Sequence, residues 1–265
     1  MADKSLILER RDALMIATLN NPDTGNALNM AMVDSLVDCF ESLLDDSSIR
    51  VVILRATGKH FCSGLDLKDP DMSPASRTPG AVLQIQQRIA RIYPAMRRCP
   101  QPIISELHGA ACGGGFSLAL ASDVRIASHD TRMNAAYLNI GLTGCDMGSS
   151  YFLPRLVNAS LAAQLLLTGE FLLADRALEL GLLAASVAPE ELSATAEAYA
   201  ETMLKAAPMG LRLTKEALNH ALDSASLEAV MAMENRHQSL LALSNDAKEA
   251  IEAFRARRPP KFSGT

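Results

Sequence analysis

Residues 108–116 form the stretch HGAACGGGF, and its three consecutive glycines, 113–115, are the most informative feature of the chain. Glycine has no Cβ, so a run of three indicates a point where the backbone closely approaches something else. The following residues, FSLALAS, predict a helix, which puts the triplet at a helix N-terminus with free N–H groups. Such groups favour negative charge and can hold a developing oxyanion. The alternative is a tight strand-to-helix turn that needs glycine for sterics alone.

A second glycine loop lies upstream of the first. Residues 51–56, VVILRA, are β-branched and apolar and predict a buried strand. They are followed by residues 57–67, TGKHFCSGLDL, whose Phe-x-x-Gly-x-Asp-Leu pattern offers further backbone donors. Two loops of this kind, well separated in the sequence, can direct two N–H groups at one carbonyl oxygen.

Together with three other segments, these loops resemble the crotonase superfamily, also called the enoyl-CoA hydratase/isomerase family. The other segments are NNPDTGNAL at 20–28, ASDVRIA at 121–127, and LLTGE at 166–170 with the stretch 174–181. Their order and spacing match the family over essentially the whole chain. The resemblance implies an α/β fold, a crotonase-like spiral of ββα units with a C-terminal helical appendage. It also implies an enzyme of the lyase or isomerase class that forms a homotrimer or a hexamer.

The pattern along the chain predicts a mixed α/β core followed by a helical region. Apolar runs at 5–10, 14–19, 51–56, 102–107 and 183–188 predict strands. Helices are expected at 30–44, 82–98, 159–168 and 175–181, with a loop at 69–80 that is rich in Asp, Pro and Ser. Helical patterns at 194–207, 209–224, 227–243 and 246–258 complete the chain. We therefore assign residues 1–193 to the core and 194–265 to a helical trimerisation or lid region.

Composition narrows the class of protein. The chain has 265 residues, of which 49% are hydrophobic, and this suits one large domain with an appendage. A net charge of −5 argues against a nucleic-acid binder, and no apolar run approaches the ~20 residues of a membrane span. The first 20 residues are not typical of a secretory signal. Five cysteines without a C-x-x-C pair favour a reducing, cytoplasmic setting, and no metal site is predicted.

In the family, two backbone N–H groups polarise the thioester carbonyl of an acyl-CoA. Carried over to this sequence, the donors are Leu65, just after Gly64, and Gly114, the middle glycine of the triplet. The alternative for this pair is two sterically required turns that bind no ligand. His108, which precedes the second loop, is expected to be a hydrogen-bonded histidine at a strand end.

The side-chain chemistry departs from the family pattern at two positions. Hydratases of the family use two glutamates as general acid and base, and their positions are occupied here by Ser117 and Tyr137. Free serine and tyrosine hydroxyls are poor bases at neutral pH. Water addition by the two-glutamate route is therefore not expected, although both side chains remain candidate catalytic residues.

One carboxylate remains well placed for proton transfer. Asp146 lies in the loop GCDMG, 144–148, where other family members, such as dienoyl-CoA isomerases and dehalogenases, carry a catalytic aspartate. Between apolar neighbours its pKa would be raised by burial, which suits a base. The alternative is an aspartate that caps the helix beginning near Ser149. The sequence is compatible with both roles.

The resemblance also implies a slot for CoA, in which cations face the phosphates. The residues assigned to it are Gly25, Ala27, Ser63, Asp66, Leu67, Lys68 and Arg257. Lys68 occupies a position where some members place a phosphate-binding lysine, whereas the usual basic residue before Asn-Ala-Leu is missing. The alternative for the basic C-terminal residues is a solvated end. No cofactor is expected, since CoA enters as part of the substrate.

The leading hypothesis is an enzyme that stabilises a thioester enolate or oxyanion with two backbone N–H groups. Without the two glutamates, isomerisation or thioester hydrolysis fits better than hydration. The competing hypothesis is a catalytically silent acyl-CoA-binding or assembly subunit.

Overall fold

The computed structural model describes residues 5–265, in which strands and helices alternate. The strands are β1 (Leu6–Arg11), β2 (Leu14–Leu19), β3 (Val51–Ala56), β4 (Ile103–Leu107), β5 (Ala110–Cys112), β6 (Val124–Ser128), β7 (Arg132–Asn134), β8 (Leu172–Leu173) and β9 (Ala185–Val187). The helices are α1 (Met30–Ser42), α2 (Pro79–Ala90), α3 (Ile92–Arg98), α4 (Gly114–Ala121), α5 (Ser149–Leu156), α6 (Ala159–Thr168), α7 (Ala174–Glu179), α8 (Leu192–Leu204), α9 (Pro208–Ala221), α10 (Leu227–Ala242) and α11 (Asn245–Arg255). The predicted α/β class with C-terminal helices is confirmed.

The strands form two sheets. The larger has the order β1-β2-β3-β4-β6-β9, and every pair in it is parallel except β1 with β2. The smaller has the order β5-β7-β8. Cys62 forms an isolated parallel bridge with Ala111 of β5, and Leu28 forms another with Leu65. Successive units of the chain thus consist of one strand in the large sheet, one extended segment at or near the small sheet, and then a helix. This is the predicted spiral of ββα units.

Helix α1 shows how local sequence and packing agree in the core. It begins at Met30 because the Asn29 side chain accepts a hydrogen bond from the Met32 N–H at 2.8 Å. Its buried face carries apolar side chains at helical spacing, among them Val33, Leu36 and Phe40. Full burial of such a side chain contributes about 1.5–3 kcal/mol, so α1 is held mainly by this face.

The single helix predicted at 82–98 is wrong, because two helices, α2 and α3, lie there. The chain breaks at Arg91, and Pro94 supplies the reason, since it has no N–H to donate to the Ala90 carbonyl. The start of α2 is also earlier than predicted. Thr78 caps the helix by accepting from the Ala81 N–H, and Pro79 occupies the first helical position.

Helix α8 joins the C-terminal region to the large sheet. Its buried residues Leu192, Ala196 and Ala200 pack against apolar residues of β2, β3, β4 and β6 on one face of the sheet. The boundary predicted after residue 193 therefore falls inside a helix that packs on the core. By contrast, α10 buries none of its residues within the described chain.

Two findings bear on the setting of the chain. Over residues 5–265, no helix combines the length and apolar character needed to cross a bilayer. All five cysteines are unpaired thiols, and Cys145 is the exposed one among them.

Candidate active site

The two glycine loops lie against each other at the N-terminus of α4. A Cβ built on Gly64 would lie 3.3 Å from the Cys112 carbonyl oxygen, and one built on Gly113 would lie 3.7 Å from the Gly64 Cα. Both glycines have positive φ, +108° for Gly64 and +51° for Gly113, so the backbone itself requires glycine there. The residues that follow them, Leu65 and Gly114, are thereby brought to one place.

The N–H groups of Leu65 and Gly114 are two free donors of this region. The flanking Asp66 N–H donates to Leu28 at 2.9 Å, and the Gly113 N–H donates to Asn134 at 2.9 Å. No acceptor within residues 5–265 is bonded to the N–H of Leu65 or of Gly114. Since Gly114 is the first residue of α4, its N–H is one of the donors that a helix leaves unpaired at its start. The arrangement can bind an anionic or polarised oxygen.

Ser117 and Tyr137 form one hydrogen-bonded pair beside these donors. The two hydroxyl oxygens are 2.7 Å apart, and the Tyr137 hydroxyl donates to the Gly113 carbonyl at 2.8 Å. Both side chains are buried, and burial raises the pKa of the Tyr137 phenol. Because these hydroxyls stay neutral and already have partners, the pair is not suited to act as a base.

Asp146 lies next to this pair, in the loop before α5. The Ser117 hydroxyl is 3.4 Å from the Asp146 carbonyl oxygen. The Asp146 side chain is half-buried, and burial is the main cause that raises the pKa of its carboxyl group, against two hydrogen bonds that lower it. Desolvation of this kind makes a carboxylate a better base.

The Asp146 side chain does not cap helix α5. The N-cap of α5 is Gly148, and no side chain caps that helix. The Asp146 carboxylate accepts instead from the Met147 N–H at 2.7 Å and from the Gln86 side chain at 2.6 Å. Its main chain is tied to Ser149, whose hydroxyl accepts from the Asp146 N–H at 3.1 Å.

Two segments assigned to CoA binding pair with each other. The Ser63 N–H donates to the Gly25 carbonyl at 3.0 Å, and its hydroxyl donates to Thr24 at 3.1 Å. Ala27 is buried in this turn, and Asp66 accepts from the Lys68 N–H at 3.0 Å.

The side chains of Leu67 and Lys68 are exposed beside this paired segment. Arg257 follows α11 and is also exposed, and its side chain forms no hydrogen bond or ion pair within residues 5–265. No hydrogen bond or ion pair in the described chain joins Arg257 to the Ser63–Lys68 segment.

His108 is a hydrogen-bonded histidine at the end of β4, as predicted. Its Nε2 lies 3.1 Å from the Gly58 carbonyl oxygen. His60 has a similar structural role, since its Nδ1 accepts from the Ala110 N–H at 3.2 Å. Each ring links the loop at 57–67 to residues 108–110.

Three site residues were missed by the sequence analysis. Gln86 bonds Asp146 from α2, while Tyr93 and Met147 flank Gly114, with the Tyr93 hydroxyl 3.2 Å from the Gly114 carbonyl oxygen and 3.0 Å from the Met147 sulfur. Tyr93 and Gln86 lie on helices that carry no recognisable motif. The composition of their segments signals helix alone.

A large cavity begins at the same two residues. Its volume is about 1190 Å³, and it extends between α3 and α9, with Tyr93 and Met147 at its site end. In the described part of the chain, no cluster of three or more His, Cys, Asp or Glu side chains is arranged to hold a metal ion. The groups that the site presents are backbone donors, neutral hydroxyls and the Asp146 carboxylate.

The known proteins to which this chain is similar belong to one family. A family model described as enoyl-CoA hydratase/isomerase matches residues 9–265. A probable enoyl-CoA hydratase of Mycobacterium leprae is 35% identical over 253 residues, covering 94% of this chain and 86% of that protein. The 1,2-epoxyphenylacetyl-CoA isomerase of Escherichia coli is 32% identical over 251 residues, covering 95% of each chain.

A solved structure has the same fold. The crystal structure of a probable enoyl-CoA hydratase/isomerase from Mycobacterium abscessus has a TM-score of 0.91 to this chain at 34% identity, covering 98% of this chain and 99% of the other. The chain therefore belongs to the enoyl-CoA hydratase/isomerase family, the crotonase superfamily that the sequence resembles. It is accordingly an enzyme of a family that includes lyases and isomerases.

Proposed function

We propose that the protein binds an acyl-CoA thioester and stabilises its enolate or oxyanion with the N–H groups of Leu65 and Gly114. The observation that carries the proposal is the contact between the two glycine loops, which brings two unpaired backbone donors together beside a half-buried carboxylate. Donors held in place before the reaction stabilise developing charge at little reorganisation cost.

Asp146 is the proposed base of this reaction. It removes a proton from the acyl group, and the electron pair moves onto the thioester oxygen, which accepts hydrogen bonds from the two N–H groups. Return of the proton to another carbon completes an isomerisation. In a hydrolysis Asp146 instead takes a proton from water, the hydroxide adds to the thioester carbonyl carbon, and the C–S bond then breaks, with CoA leaving as the thiol after it takes up that proton. Ser117 and Tyr137 complete the site as a neutral hydroxyl pair, which makes isomerisation or hydrolysis a better fit than two-glutamate hydration.

The proposed CoA slot consists of the paired segments around Gly25 and Ser63. Its main-chain groups, with those of Ala27, Asp66 and Leu67, suit the adenine and pantetheine portions. The exposed ammonium of Lys68 and guanidinium of Arg257 are proposed for the phosphates. No other cofactor is needed.

A second candidate is a catalytically silent acyl-CoA-binding or assembly subunit. The observation in its favour is that neutral Ser117 and Tyr137 hold the two positions where hydratases of the family carry glutamates. The two candidates share the binding slot. They differ in whether the bound thioester reacts, with Asp146 as the base.

The experiment that separates them combines a binding measurement with a turnover screen. Enoyl-, dienoyl- and aryl-CoA thioesters are incubated with the enzyme in D2O, and the products are analysed by mass spectrometry for isomerisation, hydrolysis and deuterium uptake. An unreactive acyl-CoA analogue is titrated in parallel by calorimetry. Turnover with binding supports the enzyme, binding without any turnover supports the silent subunit, and no binding contradicts both.

We also propose that residues 194–265 mediate assembly into a trimer or a hexamer. Apolar side chains of the last helices are exposed in the single chain, with Leu227 at 70%, Leu243 at 80% and Phe254 at 85%. Exposed apolar surface on this scale suits an interface. Light scattering at micromolar concentration should give the mass of three or six chains, and a monomeric mass would contradict the assignment. The unpaired thiols are in keeping with a cytoplasmic location.

A further inference from the structure

The carboxylate of Asp146 is held asymmetrically. Both of its hydrogen-bond donors, the Met147 N–H at 2.7 Å and the Gln86 Nε2 at 2.6 Å, engage the same oxygen, Oδ1. Oδ2 has no donor within residues 5–265 and does not appear among the buried unpaired side-chain atoms. One oxygen is therefore anchored, and the other remains accessible.

The two anchors differ in origin. Met147 belongs to the same loop as Asp146, so its N–H moves with that loop. Gln86 comes from α2, 60 residues earlier in the chain, and connects the loop to a separate helix. That helix also contacts α1, since Arg88 donates to Asp34 with its Nε at 2.7 Å, and its Ile89 is buried in the core. Gln86 therefore presents its amide from an element separate from the Asp146 loop.

A carboxylate needs such an anchor to act in a defined direction. The terminal torsion of an aspartate side chain is broad and roughly two-fold, so its two oxygens exchange readily unless a neighbour distinguishes them. The backbone donor of Met147 alone leaves the plane of the group loosely defined. A second donor on the same oxygen fixes that plane.

We propose that Gln86 is a positioning residue for Asp146, and that its amide holds Oδ1 so that Oδ2 is presented to the proton of the substrate. This inference rests on the proposed role of Asp146 as the base. Gln86 itself touches neither substrate nor product and acts through the carboxylate.

The surroundings of Asp146 give this contact a measurable electrostatic effect. The titratable groups that interact with Asp146 in the described chain are two buried phenols, Tyr93 from α3 and Tyr137 from the turn after β7, and no charged side chain contacts the carboxylate. Burial raises the pKa of Asp146, while the Gln86 hydrogen bond lowers it. Loss of Gln86 therefore raises this pKa further.

Gln86→Leu removes the donor, and Gln87→Leu on the same helix is the matched control, since Gln87 is exposed and outside the site. The kinetics use whichever thioester of the screen turns over fastest. We expect Gln86→Leu to lower kcat by roughly tenfold, the scale of one hydrogen bond to a charged group, with KM nearly unchanged. The acid limb of its kcat/KM profile should move to higher pH, because Asp146 then stays protonated up to a higher pH. Gln87→Leu should match the unmodified enzyme in kcat and in the pH of its acid limb.

Gln86→Glu keeps the shape of the side chain and guards against a folding defect. When ionised it repels Asp146 instead of donating, so its acid limb should also move to higher pH. An unchanged limb and kcat in both Gln86 variants, with Asp146→Asn inactive, would overturn the role of Gln86 and leave the proposed function intact. Full activity of Asp146→Asn would overturn the base and the role of Gln86 together.

Discussion

The two sides of the candidate site are held in different ways. On one side, every residue of α4 is buried, and the proposed oxyanion donors are main-chain groups that packing alone positions. On the other side, Asp146 is half-buried in a loop, and a side chain from a distant helix holds it. The backbone half of the site is built into the fold, whereas the half proposed for proton transfer depends on individual side chains. Substitutions on the two sides should therefore have different effects.

The largest expected effect is on the carboxylate side. Asp146→Asn removes the base but keeps an oxygen that can accept from Gln86 and Met147, so turnover should fall by roughly 10²–10⁴. Because burial raises the pKa of Asp146, the charged form is disfavoured in the fold, and a neutral side chain should leave stability and acyl-CoA affinity nearly unchanged. Steady-state kinetics and calorimetry measure the two properties.

Asp175→Asn is the matched control for this change, since Asp175 is an exposed aspartate at the start of α7. It should have normal turnover. The unmodified enzyme should lose kcat/KM as the pH falls through the raised pKa of Asp146, because protonation removes the base. Asp146→Asn with normal activity would mean that the carboxylate side of the comparison has been misassigned.

Hydration of crotonyl-CoA is expected to be the next largest difference. The rate should lie more than tenfold below that of a family member with two glutamates, since Ser117 and Tyr137 are neutral and bonded to each other. The comparison is made by following the loss of the enoyl thioester under identical conditions. A rate within about tenfold, or ~1.4 kcal/mol of barrier, would reveal another acid–base pair.

The backbone side should respond to substitution through stability. In Gly115→Ala the new Cβ would lie 2.4 Å from the Cys62 carbonyl oxygen, so the backbone at residue 115 or at Cys62 must shift. We expect a loss of about 1–3 kcal/mol in the free energy of unfolding, measured by denaturant titration. Gly80→Ala is the control, because nothing lies within 4 Å of its Cβ position, and it should be neutral or slightly stabilising. Equal effects of the two would contradict the close packing of the loops.

The smallest effect is expected at the hydroxyl pair. Tyr137→Phe removes the hydrogen bond to the Gly113 carbonyl and should cost about 0.5–1.5 kcal/mol of stability. Turnover should fall by less than about tenfold, since the phenol does not carry the proton. A loss as large as that of Asp146→Asn would assign proton transfer to Tyr137 and remove the distinction between the two sides.

Much of the fold was predictable because its signals are local. Helix α6 lies at 159–168, as predicted, since Asn158 caps its start and Gly169 ends it in the left-handed conformation. The helix predicted at 82–98 was wrong because one proline outweighed a continuous amphipathic pattern.

Within the site, the glycine loops could be found from the sequence, and the side chains around them could not. Gly64 and Gly113 require glycine for their own backbone conformation, which leaves a visible pattern. Gln86 and Tyr93 contact the site from helices whose sequences predict helix alone. No rule of spacing connects Gln86 to an aspartate 60 residues away.

The sequence by itself therefore determined the family, the α/β class and the two glycine loops, because each follows from residue types at fixed local spacing. Only the tertiary structure excluded the helix cap at Asp146, which leaves its carboxylate as the proposed base. Gly148 begins the following helix without a side-chain cap, and Gln86 takes one carboxylate oxygen and leaves the other free. The physical reason is that backbone conformation depends on adjacent residues, whereas the partners of a side-chain oxygen depend on how distant segments pack.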